Sequence, residues 1–221
     1  VSKTFLGVSY IILAIPYVGL IGAVLLPIAW LVEGRSKRRG AWVAAGIVGI
    51  VAIVLAFAGL AMLASAVAPI MSKFSTMLGN PLTTTGASPA SALGERLSKE
   101  LMMAIRSSAV GMAGAVTSML ASAIYLAFYI MTLVALYQAG SYYGSVMIKI
   151  GMGLNVIALI AAVLAAFTAA PALQGGMVAH HALALTAAGL LATLVIIFIA
   201  NIITGIGFLS AREPSVGEAR I

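Results

Sequence analysis

Four long apolar stretches of this chain carry no charged residue: Thr4 to Val32, Gly40 to Ser72, Ser107 to Ile148 and Ile150 to Ala211. A helix rises about 1.5 Å per residue, so roughly 20 apolar residues cross the hydrocarbon layer of a bilayer. Each of the first three stretches is long enough for one crossing, and the last is long enough for two. Inside a bilayer the backbone must bond to itself, which makes the spans helical. The expected fold is all-α: a polytopic transmembrane helical bundle of about five spans plus one amphipathic interfacial helix. Composition agrees. Hydrophobic residues make up 63% of the chain, charged residues 8%, and mean hydropathy is +1.18. A soluble domain carries about a quarter charged residues, far more polar surface than this chain can supply.

The chain reads as one membrane domain, residues 1–221, with spans near 5–32, 42–67, 109–136, 150–170 and 183–209. Pro16 interrupts the first run. Splitting there leaves a piece of about a dozen residues, too short to span, so one kinked span is favoured over a hairpin. The opening run is too long for a signal peptide and lacks a small-x-small site before the next charge, so it is expected to be a retained span. Pro69 is expected to close the second span. Pro171, Gly175 and Gly176 mark a turn before the fifth. The tail, 210–221, is polar.

Residues 73–106 form the one sizeable polar segment between spans. Its first half, "GNPLTTTGASPAS", is a loop. Its second half places Leu93, Leu97, Leu101, Ala104 and Ile105 on one helical face, with Glu95, Arg96, Lys99, Glu100 and Arg106 over much of the rest. Glu95 and Lys99 are spaced for an i,i+4 pair. Such a helix, joined to a span, lies in the headgroup plane.

The net charge is +7, and Arg35, Lys37, Arg38 and Arg39 are concentrated in "VEGRSKRRGAW". A nucleic-acid patch needs a surface to present it. Here Glu33 to Arg39 merely separate two apolar runs, so these basic residues orient the spans and touch anionic headgroups. No nucleic-acid partner is implied. With five spans the Lys and Arg residues divide seven to five. One side holds Arg35, Lys37, Arg38, Arg39, Lys149, Arg212 and Arg220; the other holds Lys3, Lys73, Arg96, Lys99 and Arg106. The expected placement is a multi-pass cell-membrane protein with the basic loop and C-terminus cytoplasmic and the N-terminus outside. A hairpin at Pro16 would move only the N-terminus inside. Trp30, Trp42, Tyr137, Tyr142 and Tyr143 fall where interfacial aromatic belts occur.

Candidate chemistry is sparse. The acidic residues Glu33, Glu95, Glu100, Glu213 and Glu218 all fall outside the expected spans. Ionisable groups at depth mark ion pathways and proton relays, and none is expected here. The absence of cysteine excludes disulfides, thiolate metal sites and cysteine nucleophiles. No carboxylate metal site, P-loop or nucleophile–base set is present, so neither an enzyme activity nor a cofactor or metal is implied. His180 and His181 are the candidate cofactor ligands. Adjacent helical residues point about 100° apart, so one of them at most could be an axial haem ligand. An interfacial pair at a turn explains both without a ligand. Asn155, Asn201, Thr117, Ser118 and Ser122 are polar groups at depth, where amides more often fasten helices than line pores. Gly114, Ser118 and Ser122 recur every four residues, a ladder that admits a close helix within the bundle or from a partner.

The order of features resembles a known family. "IPYVGLIG" breaks an apolar stretch that resumes through "AVLLPIAWLV", a charged loop follows, and "LYQAGSYYGSVMIKIGMGLNVIALIAAVL" later leads into another span. These blocks resemble the archaeal membrane-protein family termed domain of unknown function 996. The resemblance implies an archaeal source and carries no catalytic residue.

The leading expectation is a non-catalytic accessory or structural subunit of a larger membrane assembly, a respiratory complex being one such assembly. Its partners would be the lipid bilayer and other membrane subunits, or further copies of itself. The alternatives are a small channel or carrier for an uncharged solute lined by Asn155 and Asn201, and a haem- or quinone-binding subunit using His180 or His181.

Overall fold

The structure, a computed structural model, describes residues 2–79, 99–172 and 177–213, with backbone alone at 73–79, 168–172 and 177–184. Leu93, Glu95, Arg96, Leu97, Gly175, Gly176, Glu218 and Arg220 lie outside it, as do the side chains of His180 and His181. The described elements are all helices: α1 (Ser2–Ala14), α2 (Gly19–Ser36), α3 (Gly40–Gly79), α4 (residues 99–107), α5 (Ala109–Tyr142), α6 (Val146–Ala172) and α7 (Met177–Ser210). Among the described residues, five segments are long and apolar enough to cross a membrane: Gly19–Ser36, Gly40–Ser72, Ala109–Tyr142, Val146–Phe167 and Leu185–Ser210.

Residues 5–32 do not form one kinked span. Pro16 lacks an N–H and disfavours helical geometry at Ile15, and α1 ends at Ala14. The chain then reverses through residues 15–18, with Tyr17 in the left-handed region at φ 67°. α2 returns antiparallel along α1. Ser2 Oγ lies 3.3 Å from Ser36 Oγ, and Trp30 Nε1 donates to the Tyr10 hydroxyl at 3.2 Å. Gly22 makes the approach possible, because a Cβ there would lie 2.3 Å from the Leu13 backbone nitrogen. The N-terminus therefore lies beside the C-terminal end of α7, where Lys3 donates to the Ala211 carbonyl. Length alone favoured the kinked span. The buried face of α1, formed by Leu6, Ser9, Tyr10 and Ala14, decided for the hairpin.

Three other boundaries differ from expectation. α3 continues through Pro69 to Gly79, since one lost hydrogen bond does not end a helix that is apolar on all sides. α5 continues past Leu136 to Tyr142, and the α2–α3 connection shrinks to residues 37–39.

The chain forms two compact units, residues 1–50 with 127–221 and residues 51–126. In the first, α1 packs on α2 and α7, and α6 on α7. Its core contains Leu6, Tyr10, Leu26, Trp30, Trp42, Phe128, Leu136, Ile148 and Phe208. Gly151 brings α6 onto α7: a Cβ there would meet Thr204 Oγ1 at 2.0 Å and the Ala200 carbonyl at 3.1 Å. In the second unit α3 and α5 meet at Gly59 and Gly114. A Cβ on Gly59 would lie 2.5 Å from Ser118 Oγ, and one on Gly114 would lie 2.9 Å from the Leu63 nitrogen. Gly114 and Ser118 of the small-residue ladder thus face α3 of the same chain. Ser122 Oγ donates to the Ser118 carbonyl of its own helix at 2.9 Å.

Candidate functional site

The last turns of α2 carry Leu26, Pro27, Trp30, Glu33 and Gly34 on one face, and all five are buried. Glu33 is 0% exposed. This corrects the expectation that every acidic residue lies outside the spans. α2 remains helical to Ser36, so Glu33 is inside a helix and on its packed face rather than in a loop. The same geometry removes Trp30 and Trp42 from the lipid belt. Both indoles are fully buried, and Tyr143 nearly so, whereas Tyr137 stays exposed as a belt residue would.

Glu33 is fastened to the α5–α6 turn. The Tyr143 hydroxyl donates to Glu33 Oε1, while Oε2 is buried without a hydrogen-bond partner. Burial first, and then the adjacent carboxylate, holds the Tyr143 phenol above its ordinary value, so it remains a proton donor at any physiological pH. Around this pair the rings form a closed circuit. Trp30 meets Trp42 at 5.6 Å, Trp42 meets Tyr142 at 6.0 Å, and Tyr142 meets Tyr143 at 4.9 Å. Tyr143 meets Phe208 at 6.1 Å, and Phe208 returns to Trp30 at 6.0 Å. All five contacts are edge-to-face, the geometry in which ring quadrupoles attract. Trp42 Nε1 donates to Gln138 Oε1 at 3.1 Å, so neither indole N–H is stranded.

A basic rim covers this cluster. Arg39 stacks over Tyr142, 5.1 Å from the ring centroid. Lys37 pairs with Glu213 at 3.2 Å, and that contact holds the exposed Glu213 carboxyl below its usual range. Lys37 and Arg38 close α2. The Arg38 N–H bonds to the Arg35 carbonyl and the Arg39 N–H to the Gly34 carbonyl, with Arg38 left-handed at φ 54°. Gly144 occupies the equivalent left-handed position after α5 at φ 61°. An arginine there bears a steric cost of about 1 kcal/mol that glycine avoids. Arg38→Gly should therefore stabilise the isolated protein by about that amount while reducing the charge that orients it. Unfolding in a denaturing detergent series measures the first effect and topology reporters the second.

Asn155 and Asn201 are in the same unit. Tyr129 donates to the Asn155 carbonyl at 2.9 Å and lies 3.2 Å from Asn155 Oδ1, while Asn155 Nδ2 donates to the Gly151 carbonyl at 2.9 Å. Asn155 joins α5 to α6. Asn155→Leu should cost about 1 kcal/mol in the same detergent assay, the scale of a hydrogen bond between membrane helices. Asn201 Nδ2, Thr132 Oγ1 and Thr204 Oγ1 are buried without partners. Among the described residues no group of three potential metal ligands comes together.

Chemically, the Glu33–Tyr143 pair is a fastener. It has a donor, an acceptor and rings that exclude water, and it ties α2 to the α5–α6 turn beside α7. Sequence reasoning missed it by treating Glu33 as loop. A signal was present: Trp30 and Glu33 are three residues apart, on the face that Gly34 marks for close packing against α3.

The helices and this buried cluster define a multi-pass helical protein of the bilayer type. Compared with protein-family models, curated proteins and solved structures, the chain matches none.

Proposed function

We propose that the chain is a non-catalytic accessory subunit of a larger membrane assembly and that residues 51–126 hold its partner. The observation that carries this is the distribution of methionine. The chain has 11 methionines. Met62, Met71, Met102, Met103, Met112 and Met119 are exposed and fall in that unit, about a third of the chain, whereas among the described residues Met147 is the exposed methionine of the other unit. Lipid tails are satisfied by any apolar side chain. Flexible, polarizable thioethers suit an irregular protein surface. Within the unit, the contact of α3 with α5 leaves Phe57, Leu60, Val116, Met119 and Leu120 uncovered.

Gentle purification from native membranes tests the proposal. The chain should migrate with a partner and lose it when Met112, Met119 and Leu120 are all changed to alanine. A native chain that runs alone as a monomer would sink it. The contacts Ser2–Ser36, Tyr10–Trp30, Glu33–Tyr143, Trp42–Gln138 and Tyr129–Asn155 each join two elements, as a scaffold requires. A second proposal, a channel or carrier, draws on Thr132, Asn201 and Thr204, whose buried polar atoms lack partners. Solute flux in proteoliposomes that disappears in Asn201→Leu would favour it.

We also infer that the basic end faces the cytoplasm. Because Lys3 lies at the α7 C-terminal end, the Lys and Arg division sharpens from seven-to-five to eight-to-four. Reporters fused at either terminus should both report cytoplasm.

A further inference from the structure

We propose that α1 and α2 form a re-entrant hairpin that enters the bilayer from the basic end, stops within the acyl chains and returns. The tip, "IPYVGLI", then faces lipid tails and not water. Membrane immersion of the bundle is presupposed; the subunit proposal is not.

Three observations combine. The first is that both ends of the hairpin are at one place. Ser2 is beside Ser36, and Lys3 beside Ala211. The second is length. α1 has 13 residues, about 20 Å of helix, short of a hydrocarbon layer of about 30 Å. α2 has 18 residues, about 27 Å, and its apolar part from Gly19 to Val32, before Glu33 and Arg35, is about 20 Å. The apolar part of each helix is therefore roughly 10 Å shorter than the hydrocarbon layer.

The third is the chemistry of the tip. The other tight helix connections are polar: Lys37, Arg38 and Arg39 after α2, and Tyr143, Gly144 and Ser145 after α5. The connection at 15–18 is Ile-Pro-Tyr-Val. Ile15, Val18, Leu20 and Ile21 are all exposed, with Tyr17 entirely so. In water this would be a bare apolar knob. In lipid it is stable if its backbone bonds to itself. It does: Ile15 N–H to the Ile12 carbonyl at 3.1 Å, Val18 to Pro16 at 2.8 Å, Gly19 to Ile15 at 2.8 Å and Ile21 to Val18 at 2.9 Å. Pro16 has no N–H to satisfy. A proline at this point thus removes a donor that lipid could not accommodate. Tyr17, at the leading edge, is the residue type whose phenol seeks the opposite headgroup layer.

The chain contains no cysteine, so single-cysteine variants report without background. Ser2→Cys, Tyr17→Cys and Ser36→Cys replace residues that are not fully buried. In sealed vesicles of defined orientation, a membrane-impermeant maleimide should label positions 2 and 36 from the same side and position 17 from neither. The Ser2→Cys/Ser36→Cys double variant should form a disulfide. A spin label attached to position 17 in detergent and then reconstituted should be relaxed by oxygen and not by a water-soluble nickel complex. Labelling of position 17 from the side opposite position 36 would show a full crossing and overturn the proposal. Labelling of position 17 from the same side as position 36 would place the hairpin on the membrane surface and overturn it equally.

Discussion

Replacing Tyr143 by phenylalanine will destabilise the protein by about 2–3 kcal/mol, whereas Glu33→Gln will cost under about 1 kcal/mol. The asymmetry follows from the geometry. Glu33 is 0% exposed, Oε2 already lacks a partner, and the Tyr143 hydroxyl serves Oε1. Removing the hydroxyl leaves a buried carboxyl with nothing on either oxygen. Converting Glu33 to glutamine keeps an acceptor for Tyr143 and keeps the volume, while removing a group that is expensive to bury as an anion. Once glutamine is present, Tyr143→Phe should cost less than it does in the parent chain. Both tryptophans sit in the ring circuit, so their emission reports this region directly during unfolding in a detergent series. Equal costs for Tyr143→Phe and Glu33→Gln would mean that the pair does not fasten α2 as described.

The second large effect is at Gly22. A methyl group there would lie 2.3 Å from the Leu13 nitrogen and 2.5 Å from its Cα. These are backbone atoms of α1 and cannot swing aside. Gly22→Ala should therefore pry α1 from α2 at a cost of at least about 2 kcal/mol, the upper part of the range for overpacking. Cross-linking between Ser2→Cys and Ser36→Cys should weaken in parallel. Gly153 in α6 is the control, because a Cβ there meets nothing within 4 Å. Gly153→Ala should be neutral or stabilising by about 0.5–1 kcal/mol through helix propensity. If both substitutions behave alike, the α1–α2 contact is not as close as described.

Sequence reasoning succeeded where the signal was long and failed where it rested on one residue. The charge-free runs located each described helix that is long and apolar enough to cross a membrane, and Pro16 marked an interruption in the first of them. What followed the break was not legible. Two short helices can continue in line or fold back, and the buried face of α1 that favours folding back is hard to see in a segment that is apolar throughout. Glu33 was assigned by proximity to four basic residues, which carried it into the loop with them. Its true environment depends on Trp42, Tyr143 and Phe208, residues distant in the chain. Gly114 and Ser118 were legible as a close-packing surface, but only the fold shows that α3 occupies it.

The sequence by itself determined that the chain is helical and belongs in a bilayer. Charge-free runs of this length have no other stable environment, and in hydrocarbon the backbone must satisfy itself. Only the tertiary structure decided that residues 2–36 turn back on themselves and that Glu33 enters the core. In helices apolar on every side, composition does not say which face meets which neighbour. The direction of a chain after a proline, and the burial of a single carboxylate, depend on those contacts alone.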